Sequence, residues 1–143
     1  MFDKKRRSAH TCNGQTSANP WHLQLIMPAR GEPVRLARDV TSEVLTAWRL
    51  AHVQETAVLM VSELVTSAVR DSESSDVITL ELQNMQTCLR IEAYRCRPGL
   101  SVPRTAGDFD DLGFGLALVE SLASRWGVRD TVTGTTIWAE LDT

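Results

Sequence analysis

Glu63 and Ser67 stand four residues apart in the segment Glu63-Leu64-Val65-Thr66-Ser67-Ala68-Val69, whose apolar spacing is helical. That spacing stacks both side chains on one helix face, about 6 Å apart. A serine hydroxyl can ligate magnesium, although it is shorter and a poorer acceptor than an amide oxygen. Further along, Leu112-Gly113-Phe114-Gly115-Leu116 precedes a helical pattern. Glycines there let the backbone approach a phosphate, and a helix start offers unpaired amide hydrogens and the positive dipole end. Arg95 ends a strand and shares the parity of Leu89, Ile91 and Ala93, so it points to the buried face with five donors and no acceptor. Thr136 lies in Gly134-Thr135-Thr136-Ile137-Trp138, at the start of the last strand. Each feature also has a plain reading: the solvated edge of an amphipathic helix, a helix-opening glycine, a strand-end arginine reaching water, a good strand threonine.

The elements that must hold these residues follow from periodicity. Trp21 to Met27 alternates as a strand and is broken by Pro28. Pro33 suits the first turn of a helix with apolar residues at Val34, Ala37, Val40, Val44 and Trp48. A second helix from about Val53 to Val69 has a stripe of Ala57, Met60, Val61, Leu64 and Ala68. Two alternating strands, around Ile78–Leu82 and Leu89–Ala93, form a hairpin with one apolar face. Arg97 to Asp111 is a long Pro, Gly and Asp-rich loop carrying Asp108, Asp110 and Asp111, and a helix opens at Gly115 with Leu116, Val119, Leu122 and Ala123 inward. Strands near Trp126–Arg129 and Thr135–Leu141 close the chain, with Trp126 and Trp138 as packing residues. The expected fold is α+β: a two-layer sandwich with a mixed, mainly antiparallel sheet and helices on one face.

The chain has 143 residues, 43% hydrophobic and 23% charged, which suits one globular domain. Residues 1–20 are polar and read as a disordered tail, leaving 21–143 as the domain. A net charge of -3 gives no reason to expect nucleic acid, and the run Lys4-Lys5-Arg6-Arg7 reads as a solvated tail. Cys12, Cys88 and Cys96 form no patterned pair. Cys88 and Cys96 fall at opposite ends of one strand, roughly 26 Å apart at about 3.3 Å per residue. Unpaired cysteines, no secretory leader and no spanning segment point to the cytoplasm. His10, His22 and His52 lack metal-ligand spacing.

The four segments in this order, the strand Leu89-Arg90-Ile91-Glu92-Ala93-Tyr94-Arg95 among them, resemble the nucleotide site of the GHKL superfamily (gyrase, Hsp90, histidine kinase, MutL). The nearer resemblance is to small bacterial anti-sigma-factor serine/threonine kinases. It spans about Leu25 to Leu141 and is most specific over Gly113–Gly127 and the closing Gly-Thr-Thr segment. It implies a histidine-kinase/Hsp90-like ATPase fold, ATP and Mg2+, and partner switching with a sigma factor or an anti-anti-sigma-type protein; the family commonly forms homodimers. Under it Glu63 is the catalytic base and Ser67 the magnesium ligand, in place of the family's Asn. Gly113, Phe114, Gly115 and Leu116 form the phosphate loop. Arg95 stands where the family's Asp accepts the adenine amino group, and Thr136 matches the threonine supporting that Asp. The two departures, Ser67 and Arg95, leave two functions open: an ATP-binding regulator with kinase activity, or a pseudo-ATPase kept as a protein-binding module.

Overall fold

Alternation of Ile78, Leu80 and Leu82 with Thr79, Glu81 and Gln83 produces a strand with one apolar side, and its neighbours repeat the pattern. The computed structural model describes residues 19–70, 72–73, 75–96, 114–131 and 134–143. In chain order these form β1 (His22–Pro28), α1 (Pro33–Ala47), a 3-10 turn (Ala51–Val53), α2 (Gln54–Arg70), β2 (Val77–Asn84), β3 (Cys88–Cys96), α3 (Phe114–Leu122), β4 (Arg125–Thr131) and β5 (Gly134–Asp142). The strands lie in the order β1-β2-β3-β5-β4. Every pairing among the described residues is antiparallel, so the sheet is simpler than the mixed one expected. The architecture is the expected α+β sandwich. Residues 1–18 of the tail and the loop Arg97–Asp111 lie outside the described residues.

The core is the layer between the sheet and the helices. Leu80, Leu82, Ile91, Ala93 and Ala139 are fully buried from the sheet side, and Met60, Val61, Leu64 and Val65 from α2. Burying each large aliphatic side chain contributes roughly 1.5–3 kcal/mol, which anchors α2 over the central strands. All five stripe residues expected on α2 are buried. The first helix differs. Its deepest line is Pro33, Ala37, Thr41 and Leu45, while Val34, Val44 and Trp48 only flank the core. A four-residue step keeps that line on one face, and it passes through a polar residue type, Thr41, whose hydroxyl has no hydrogen-bond partner among the described residues. Trp48 instead closes the end of α1. Its indole lies 6.3 Å from that of Trp21 and donates to the Pro20 carbonyl.

Pro28 ends β1 at the sheet edge, where a missing N–H is tolerated. No helix among the described residues is long and apolar enough to cross a membrane. Cys88 is a buried free thiol at the start of β3, with Cys96 at the other end of the strand.

The sheet's outer face carries a charge lattice. Arg90 bonds Glu92 at 2.8 Å and Glu140 at 2.6 Å, and Arg125 bonds Glu140 at 2.8 Å and Asp142 at 2.6 Å. The Arg90 guanidinium also covers the Trp138 ring at 4.4 Å, and Gly127 faces Trp138 across the β4–β5 pair. A Cβ at Gly127 would fall 2.8 Å from the indole nitrogen, so only glycine leaves that ring its place. Arg125, followed by Arg90, holds the Glu140 carboxyl below its ordinary value of 4.5. A depressed carboxylate pKa adds stability above the unfolded pKa, and that contribution is lost as pH falls through the folded pKa. Glu140→Gln is therefore expected to lower stability by about 1 kcal/mol at pH 7. In urea unfolding followed against pH, the difference from the parent protein should shrink steadily below about pH 4.5. A pH-independent difference would assign the loss to packing instead.

Candidate functional site

Ser67 and Arg95 enter the same interlayer from opposite sides. Ser67 lies on α2 and is 2% exposed; its hydroxyl has no hydrogen-bond partner among the described residues. Glu63, one turn earlier, is half-buried at the margin of the stripe. From the sheet, Arg95 is 5% exposed on the helix-facing side of β3, in register with Ile78 of β2 and Thr135 of β5. Arg95 is itself an engaged residue. α2 packs directly over β3, the strand that carries Arg95.

The β3–β5 pairing also sets which threonine joins them. Arg95 faces Thr135, whereas Thr136 faces Tyr94. Alternation puts Thr136 on the outer side of the sheet, away from Arg95. This corrects the assignment of Thr136 to the Arg95 site: the motif marks the segment, but strand parity selects Thr135. Thr136 instead lines an outer-face cleft of about 540 Å3 with Thr79, Glu81, Glu92, Tyr94 and Arg129. A second cleft, of about 670 Å3, runs along the solvent side of α1 and α2 by Arg38, Glu55 and Leu59. Neither includes Glu63, Ser67 or Arg95.

Thr135 donates from its hydroxyl to Asp130 Oδ1 on β4 at 2.8 Å, and Asp130 Oδ2 is buried with no partner among the described residues. Arg95, Thr135 and Asp130 thus form one row across β3, β5 and β4. Sequence reasoning missed Asp130. Its parity with Val128, opposite the inward Ile137, could have found it. The other overlooked carboxylate, Asp76, is 1% exposed and accepts from the Glu73 amide at 3.0 Å, an intraloop contact that fixes the approach to β2.

Of the expected phosphate loop, Gly113 lies outside the described residues. Phe114 and Gly115 begin α3, and Leu116 is buried, as is Val119 one turn later. The backbone of α3 therefore starts where the motif places a helix.

At the expected phosphate end, the described residue with a free hydrogen-bonding group is Ser67. A buried hydroxyl with unused hydrogen-bonding capacity suits a metal or a phosphate oxygen. Among the described residues no group of three His, Cys, Asp or Glu could hold a metal, so magnesium there would take most of its ligands from phosphate and water. At the base end, adenine does not fit Arg95, because an arginine cannot accept from its amino group.

No protein-family model and no curated protein matches the chain. Its structure is similar to that of the RsbU and RsbW domains of Rv1364c from Mycobacterium tuberculosis, with a TM-score of 0.55 and 19% identity over 84% of this chain. The chain spans 31% of the length of that structure. The shared feature is the fold, a two-layer α+β sandwich.

One contact underlies the site's geometry. A Cβ on Gly134 would collide with the Arg95 carbonyl oxygen. Gly134→Ala should therefore push β5 from the end of β3 and cost about 1–3 kcal/mol. The expected thermal-melt drop should come with loss of amide protection at Thr135; a melt unchanged from the parent would mean the strands can shift at no cost.

Proposed function

We propose that this chain is a regulatory module that works by partner switching, binding a sigma factor or an anti-anti-sigma-type protein, and that its interlayer site holds a nucleotide. The observation that carries the regulatory reading is the fold shared with the RsbU/RsbW structure over most of the chain. Support for the nucleotide comes from the buried Ser67 hydroxyl beside Glu63 and from the start of α3 at Phe114. In this reading Ser67 offers its oxygen to magnesium or phosphate, and the α3 start contributes backbone amides. Glu63 would orient the hydroxyl of a serine on the partner. A bound nucleoside triphosphate would supply the phosphoryl group.

A specific observation also favours the second reading, a pseudo-ATPase that keeps the fold as a binding surface. Arg95 removes the acceptor that adenine needs, so ATP chemistry is weakened whatever else the site retains. Both readings place a protein partner at the centre of function and no nucleic acid. The cytoplasm and a possible homodimer belong to the same proposal.

The test is a direct binding panel. Purified full chain is titrated against the sigma factors and anti-anti-sigma-type proteins encoded in its own genome, with size-exclusion and calorimetric readouts. At least one should form a complex of defined stoichiometry with micromolar or tighter affinity. If folded protein bound no member of either class, the regulatory assignment would fail.

A further inference from the structure

We infer that the basic run Lys4-Lys5-Arg6-Arg7 folds back on its own chain and docks in the outer-face cleft beside Glu81 and Glu92. That cleft lies on the face of the sheet opposite Ser67 and Arg95, so its occupant depends on neither a nucleotide nor a partner protein. Charge divides unevenly along the chain. Residues 1–18 hold four cations against Asp3, whereas residues 19–143 hold eleven arginines against seventeen carboxylates. Lys4 and Lys5 are the only lysines in the sequence. A cationic arm is attracted to an acidic domain, and the arrangement of carboxylates decides where it settles.

The outer face supplies such a place. Glu81 on β2 and Glu92 on β3 are direct cross-strand partners. Strand parity turns both outward, and both line the cleft of about 540 Å3. Like charges directly opposite each other destabilise a sheet unless a cation lies between them. The outer-face lattice leaves this pair short. Arg90 binds Glu92 and Glu140, Arg125 binds Glu140 and Asp142, and Arg129 stays 3.8 Å from Glu92. None of these arginines pairs with Glu81. Its carboxylate accepts from the Gln24 amide at 2.8 Å. It also lies 3.4 Å from His22 Nε2, a contact that is an ion pair only when the imidazole is protonated. In the next cross-strand row, Thr79, Tyr94 and Thr136 line the same cleft. Thr136 is 5% exposed, and its hydroxyl makes no hydrogen bond among the described residues. Two carboxylates, an unused hydroxyl oxygen and an aromatic ring suit an ammonium group on a long apolar stem.

Chain length permits the contact. Gln24 of β1 also lines the cleft, five residues after Asn19, where the described chain begins. Glu81 and Glu92 lie one and two strands further in, roughly 5 and 10 Å away. Twelve peptide steps separate Arg7 from Asn19, an extended reach of up to about 40 Å. A flexible linker of that length spans about 20 Å on average, close to the distance required. Tethering gives its highest effective concentration when the two match. Exposed ion pairs too weak to hold a separate peptide therefore suffice within one chain.

The experiment is zero-length carbodiimide coupling on the full chain, read by peptide mass spectrometry. With no other lysine present, an amide from Lys4 or Lys5 reports this segment alone. Capture is expected at Glu81 and Glu92, in preference to Glu43 on α1 and Glu55 on α2. It should vanish at about 1 M salt, where screening acts within about 3 Å. Glu81→Gln should cut the capture at Glu92 by a factor of up to about five, the worth of one exposed ion pair, with the thermal melt unchanged. Capture mainly at Glu43 or Glu55, or at neither Glu81 nor Glu92, would overturn the inference. Mixing isotopically heavy and light chains covers the remaining case. Amides found only between heavy and light chains would make a second copy the occupant and overturn docking within one chain.

Discussion

The β3–β5 ladder, and within it the close approach of Gly134 to Arg95, fixes which strand residues enter the candidate site. Side chains on a strand alternate with a period of two, so a one-residue slip would exchange the faces of the sheet. Arg95 and Thr135 would then turn outward, and Tyr94 and Thr136 would enter the core. The hydrophobic layer opposes such a slip from one side, because Ile91, Ala93, Ile137 and Ala139 must all stay beneath the helices. From the other side, the lattice of Arg90, Glu140, Arg125 and Asp142 pairs only in this register. Gly134 completes the constraint at the end of the sheet where no apolar pair is available.

On that frame two kinds of polar group stand in the interlayer. The first is Ser67, delivered by α2, whose own burial is secured by Met60, Val61 and Leu64. The second is the row of Arg95, Thr135 and Asp130, delivered by three strands. Within them Ser67 Oγ and Asp130 Oδ2 have no hydrogen-bond partner among the described residues, and an unsatisfied buried group costs about 1–3 kcal/mol. The fold is similar to that of the RsbU and RsbW domain structure, yet Arg95 offers no acceptor for adenine.

Much of this was legible in the sequence. Strict alternation in Ile78–Leu82 and Leu89–Ala93, and the Ala57–Ala68 stripe, are local patterns, and they located β2, β3 and α2. The inward parity of Arg95 was legible for the same reason. Other features required pairing that no local pattern contains. The deep line of α1 runs through Thr41, which a search for apolar residues passes over. Thr135 and Thr136 are adjacent and chemically identical, so only the partner strand tells them apart. Asp130 shares the parity of Val128, but only the pairing with β5 places Thr135 beside it. The outer-face lattice joins residues up to 50 positions apart along the chain, as Arg90 and Glu140 show, and its members are connected only through the register.

Amide hydrogen exchange, recorded with and without a saturating nucleoside triphosphate and magnesium, tests most directly that Ser67 and the Arg95 row face one ligand. Protection should rise together in the last turns of α2 around Glu63–Arg70 and at Arg95, Asp130 and Thr135, with the outer-face residues unchanged. Protection confined to one of those segments, or to the outer face near Tyr94 and Thr136, would contradict a shared interlayer site.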